Sequence, residues 1–151
     1  MKLTRREALV LSAGAALIAF AGGRAGPAFA GAAETDQAIK DFTGGTEPQS
    51  GRITLTAPEI AENGNTVPVS VYVESPMTAE DHVASVMLLA EGNPNPDVAT
   101  FHFTPMSGEA TATTRMRLAK TQNVVAVAKM SDGSVYVDRK EVKVTIGGCG
   151  G

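Results

Sequence analysis

The chain has 151 residues, a net charge of −3, 43% hydrophobic residues and a single cysteine. That length allows one domain, and the absence of a basic surplus argues against nucleic acid or an anionic membrane as partner. One cysteine also excludes an internal disulfide.

Residues 1–30 read as a cleaved export signal. Arg5 and Arg6 form a charged head, Ala8 to Phe20 a short apolar core, and Ala28-Phe29-Ala30 a small-x-small cleavage site. The core is shorter than the ~20 residues a membrane-spanning helix needs, and Gly14, Gly22 and Gly23 weaken it further. The paired arginines fit the twin-arginine class, although Ala8 stands where that class usually has Phe. Removing residues 1–30 takes away Lys2, Arg5, Arg6, Arg24 and Glu7, which leaves 9 Lys+Arg against 15 Asp+Glu and a mature charge of −6. The expected compartment is periplasmic and oxidising, where an odd cysteine implies an intermolecular bond or a reactive thiol.

Residues 31–51 are expected to be a short peripheral helix and a polar lead-in, the helix capped by Thr35 and stopped at Gly44-Gly45. From Arg52 the hydrophobic period becomes two. Val67, Val69, Val71 and Val73 share one face of a strand; Ile53 with Leu55, Ala99 with Phe101 and Phe103, and Ala112 with Met116 and Leu118 alternate in the same way. "HVASVMLLA" (82–90) and "NVVAVAKM" (123–130) are apolar on both faces, so they are expected to be central strands or to lie under a partner, through Val83, Met87 and Leu89 or through Val125 and Val127. Turn residues separate the runs, and about seven short strands result. The predicted fold is all-β, an immunoglobulin-like antiparallel β-sandwich over residues 52–146 followed by a flexible glycine-rich arm over 147–151.

Within the last run the apolar positions change from odd (Val135, Val137) to even (Val142, Val144, Ile146). The slip predicts a bulge or change of sheet between Asp138 and Glu141, with Ile146 as the last side chain anchored in the core.

The chain closes on "IGGCGG". Cys149 has glycine pairs on both sides and nothing to bury it, so the position argues for exposure. Three residues from Gly147 to Cys149 extend at most ~10 Å, and Gly147, Gly148, Gly150 and Gly151 keep the arm narrow enough for a confined pocket in another protein. A thiol on such an arm has no fixed base beside it, and the nearby C-terminal carboxylate disfavours the thiolate, so the chemistry is expected to come from partners. His82 at a strand start and His102 facing solvent read as structural, and the "AEDH" cluster of Glu80, Asp81 and His82 as a solvated turn. No metal-ligand spacing, phosphate loop, dinucleotide fingerprint or nucleophile elbow is present, and a prenylation signal would need the cysteine fourth from the end.

The segments "PEIAENGNTVPVSV", "LAEGNPNP", "ATFHFTP" and "TRMRLA", with the export signal and the terminal "GGCGG", resemble the SoxY family, sulfur-carrying subunits of the bacterial thiosulfate-oxidising system. The resemblance spans residues 31–151. It implies a non-enzymatic carrier without haem or metal of its own, with Cys149 as the covalent attachment point. It also implies a complex with SoxZ, a second β-sandwich subunit. The partners it implies are a c-type haem enzyme that couples thiosulfate to the thiol, a hydrolase that releases sulfate and a sulfane dehydrogenase. A twin-arginine route would carry such a complex across the membrane already folded. From the residues themselves two other classes stay open: an exported interaction module that uses Cys149 for an intermolecular disulfide, and a ubiquitin-like carrier activated at its terminal di-glycine.

Overall fold

A computed structural model describes residues 31–147. Helix α1 (Ala32–Thr43) precedes eight strands: β1 (Ile53–Thr56), β2 (Ile60–Ala61), β3 (Val67–Val73), β4 (Val83–Ala90), β5 (Asp97–His102), β6 (Ala110–Met116), β7 (Gln122–Met130) and β8 (Val135–Val144). They form a three-stranded sheet, β1-β3-β6, and a five-stranded sheet, β2-β8-β7-β4-β5. All pairings are antiparallel except β2 on β8, where the early edge strand joins the last one in parallel, Ile60 opposite Lys143 and Ala61 opposite Val144. The fold is the expected β-sandwich. All seven runs read from the alternation are strands; β2, two residues long, carries too little pattern to read.

The sandwich core is filled by the alternating rows. Val67, Val69, Val71 and Val73 from β3 meet Val86 and Leu88 from β4 and Val124, Ala126 and Ala128 from β7. On the other side of the five-stranded sheet lies a second apolar cluster of Met87, Leu89, Val125, Val127 and Val135, covered by Ile39 with Ala38 and Phe42. Helix α1 therefore forms a third layer rather than a peripheral turn. The two-faced strands are central in their sheet, and their outer face is filled by this chain's own helix. Val83, expected among the partner-covered residues, is fully buried in the sandwich core.

The helix boundaries differ from expectation at one end. Gly31 is the N-cap, and its N–H donates to Glu34 Oε2 at 2.8 Å. Thr35, expected to cap, is one turn inside and fully buried. The predicted stop holds: Gly44 is left-handed at φ 67°, and the Gly45 N–H donates to the Lys40 carbonyl.

The expected bulge in the last strand is absent. β8 pairs with β7 in one unbroken register from Val135–Lys129 to Val142–Gln122, and the register shifts fall in β4 instead. The apparent slip arises because β8 has apolar neighbours on different faces along its length. Val135 and Val137 face α1, whereas Tyr136, Val142 and Val144 face the sandwich. Between them Asp138 uses Oδ2 to accept the Leu55 N–H of the opposite sheet at 2.8 Å, so one position of the row is polar for a backbone reason.

Candidate functional site

Cys149, Gly148, Gly150 and Gly151 lie outside the described residues. Gly147 lies within them, and the structure defines the root from which the cysteine-bearing end departs.

That root is held by the backbone. Thr145 donates its N–H to the Ala61 carbonyl at 3.1 Å and its hydroxyl to the Glu62 carbonyl at 2.9 Å. The buried Gly64 then links two segments: its N–H donates to the Ile146 carbonyl at 2.8 Å, and its own carbonyl accepts the Leu118 N–H at 2.7 Å. On the other side the Val144 N–H donates to Thr121 Oγ1 at 2.9 Å. The chain end thus passes between the β2–β3 loop and the 117–121 turn. Ile146, expected as the last core anchor, is 68% exposed; among the described residues Val142 is the last fully buried side chain, and the carbonyl of Ile146 rather than its side chain is what the domain holds.

Gly147 is also more constrained than a linker residue. A Cβ at this position would stand 2.3 Å from the Ala119 carbonyl oxygen, far inside any real contact. Its backbone is not in the left-handed region, so the requirement for glycine here is one of space. From this seated residue to Cys149 the contour is two residues, at most ~7 Å, and not the three counted from the sequence.

The 117–121 turn is fixed in its own right by two buried amides that the sequence reading missed. Asn93 Nδ2 donates to the Arg117 carbonyl at 2.8 Å, and Asn93 Oδ1 accepts the Ala119 N–H at 3.0 Å and Gln122 Nε2 at 2.9 Å. Gln122 also donates to the Lys120 carbonyl at 3.0 Å and accepts the Gly92 N–H at 2.7 Å. Asn93 and Gln122 are 3% and 7% exposed. One sequence signal existed: Gln122 is a polar residue in register with the inward row Val124, Ala126 and Ala128, and a buried amide needs partners.

The histidines stand elsewhere. His82, just before β4, donates through Nδ1 to the Thr78 carbonyl at 3.0 Å, and His102 is exposed at the end of β5. Asp81 of the acidic turn is engaged by Arg52 at 3.2 Å, and that guanidinium lies 5.6 Å from the Tyr136 ring centre. Among the described residues no group of three or more His, Cys, Asp or Glu is placed to hold a metal ion.

The family described as sulfur oxidation protein SoxY matches residues 39–149. The chain belongs to the SoxY family. The sulfur carrier protein SoxY from Chlorobium limicola f thiosulfatophilum is similar at 37% identity, over 76% of this chain and 99% of that one, with a TM-score of 0.65. A superoxide reductase (neelaredoxin) from Ignicoccus hospitalis is similar at 26% identity, over 63% of this chain and 81% of that one, with a TM-score of 0.56. No curated protein matches significantly. Two different named chemistries on similar sandwiches mean that the fold alone does not set the function. Membership of the SoxY family connects the chain to sulfur oxidation.

Proposed function

We propose that this SoxY-family chain is a covalent carrier of sulfur intermediates in thiosulfate oxidation, with the substrate attached to Cys149. The observation that carries the reading is that the family match runs to residue 149, the position of the chain's single cysteine. In the proposed cycle the Cys149 thiolate and the sulfane sulfur of thiosulfate form an S–S bond, and two electrons leave to the haem of a partner enzyme. Water then attacks the terminal sulfone at a partner hydrolase; the S–S bond to that group breaks, sulfate and protons leave, and a persulfide stays on Cys149. A sulfane dehydrogenase then oxidises that sulfur to a sulfonate: three waters supply its oxygens, six protons leave, and six electrons pass to the redox centres of the dehydrogenase. The carrier supplies the nucleophile and its delivery, and the partners supply the catalytic groups.

In this reading the chain works beside a SoxZ-like subunit in the periplasm, after loss of residues 1–30. The test is intact-mass and C-terminal peptide analysis of protein recovered from cells exposed to thiosulfate. A thiosulfonate or persulfide mass on Cys149, absent in Cys149→Ser, is the expected result. A disulfide-linked pair as the sole modification would replace the carrier with the interaction module, and adenylation or a thioester at the C-terminal carboxylate would replace it with the ubiquitin-like reading.

A further inference from the structure

We infer that Asn93 and Gln122 are positioning residues for the carrier cysteine: they fix the turn against which Gly147 seats, and so set the direction in which the chain end leaves the domain. The inference rests on the carrier reading for its functional meaning, and on the geometry of the described residues for its structure.

Three observations combine. First, the contact between Gly147 and Ala119 is with a backbone carbonyl, which cannot move aside as the tip of a long side chain can. Second, that carbonyl belongs to a turn held on both flanks, at the Arg117 carbonyl and Ala119 N–H by Asn93 and at the Lys120 carbonyl by Gln122. Third, the same turn grips the chain end independently, through Leu118 to Gly64 to Ile146 and through Thr121 to Val144. Gly92 completes the packing, since a Cβ there would stand 2.9 Å from Lys120 Cε and 3.0 Å from Gln122 Cβ. Every polar atom of the two amide side chains is engaged. Inside a protein such a network is stiff when complete and costly when broken.

The functional consequence follows from reach. With at most ~7 Å of contour between Gly147 and the thiol, the seat of Gly147 bounds the volume the sulfur can reach, and a shift or tilt of that seat moves the whole volume relative to the body. A misplacement of about 1 Å at a reacting atom can cost on the order of 100-fold in rate.

The experiment uses the full mature chain and three variants. Asn93→Ala removes the turn's support, Gly147→Ala pushes against the Ala119 carbonyl while leaving both amides intact, and Thr54→Ala, exposed on β1, is the control. A nitroxide on Cys149 and a second on Thr113→Cys, exposed on the three-stranded sheet, report the distance distribution between arm and body. Asn93→Ala and Gly147→Ala are expected to shift or broaden that distribution, whereas Thr54→Ala retains the parent one. Alkylation of Cys149 by a small reagent should proceed at the parent rate in all three. Thiosulfate-dependent kcat/KM with the partner enzymes should fall roughly 10- to 100-fold in the first two. An unchanged distribution in Gly147→Ala, or a parent distribution already as broad as that of the variant, overturns the inference. A loss of thermal stability in Asn93→Ala without a distance change would assign the amides to stability alone and overturns it equally. The distance measurement needs no sulfur chemistry, so failure of Cys149 to take up sulfur would defeat the carrier reading while leaving the seat standing.

Discussion

The two sheets treat their outer faces in opposite ways. Outside the five-stranded sheet, Met87, Leu89, Val125, Val127 and Val135 are buried beneath α1. The outer positions of the three-stranded sheet include Thr54, Thr56, Ser70, Tyr72, Thr111 and Thr113, and none of the described residues is laid over them as α1 is over the other sheet. The sequence encodes this difference as pattern. Strict alternation marks a sheet with one wet face, whereas apolar residues at consecutive positions mark a face that has to be covered. What the pattern leaves out is the identity of the cover. Here it is the helix 40 or more residues upstream, not a second protein.

The largest effect that separates the faces should come from burying a charge. Leu89→Asp places a carboxylate between α1 and the sheet with no partner and is expected to cost about 3–5 kcal/mol, a large part of a small domain's stability. Thr113→Asp on the bare face should stay within about 0.5 kcal/mol of the parent. Urea denaturation of both variants checks the contrast, and equal losses would mean that the two faces are not differently covered.

A smaller change should sharpen the comparison in the opposite direction. Thr35 is fully buried at the helix–sheet contact, and its hydroxyl is without a hydrogen-bond partner. Thr35→Val keeps the shape and removes the stranded polar group, so it should stabilise the domain by about 1 kcal/mol. A lower urea midpoint in the variant would show that the hydroxyl is in fact satisfied.

The smallest effect concerns pH. Glu34 is held below its ordinary carboxylate range, first by the Gly31 N–H and then by its own backbone N–H. A depressed folded-state value means that the contribution to stability is present above the ordinary value of 4.5 and is lost as pH falls through the lower folded value. Glu34→Gln should therefore flatten the acid limb of the stability profile, most visibly in probes of α1, and leave the profile near neutrality in shape. An identical acid limb in both proteins would remove the cap from the account.

The seven legible strands were legible because each carries four or more residues of alternation or a run apolar throughout. The rest was hidden for specific reasons. Helix α1 buries only Thr35, Ile39 and Thr43, one large aliphatic among them, so its sequence resembles that of a surface turn. β8 appeared to slip because Asp138 serves a backbone N–H across the sandwich, a contact 83 residues away that no local pattern reports. Asn93 sits in "EGNPNPD", where asparagine already has an ordinary reason to occur in a turn. At the chain end the glycines were read as slenderness and freedom. For Gly147 the reason is a carbonyl oxygen contributed by a turn 28 residues earlier.

The third layer has a thermodynamic consequence. Since α1 covers the outer face of the large sheet from within the same chain, the stability that this burial contributes does not depend on the concentration of a partner. Dilution of an assembly should separate folded subunits instead of unfolding them. Association then draws on surface that is already solvated in the monomer, so its heat-capacity change should be small beside that of folding.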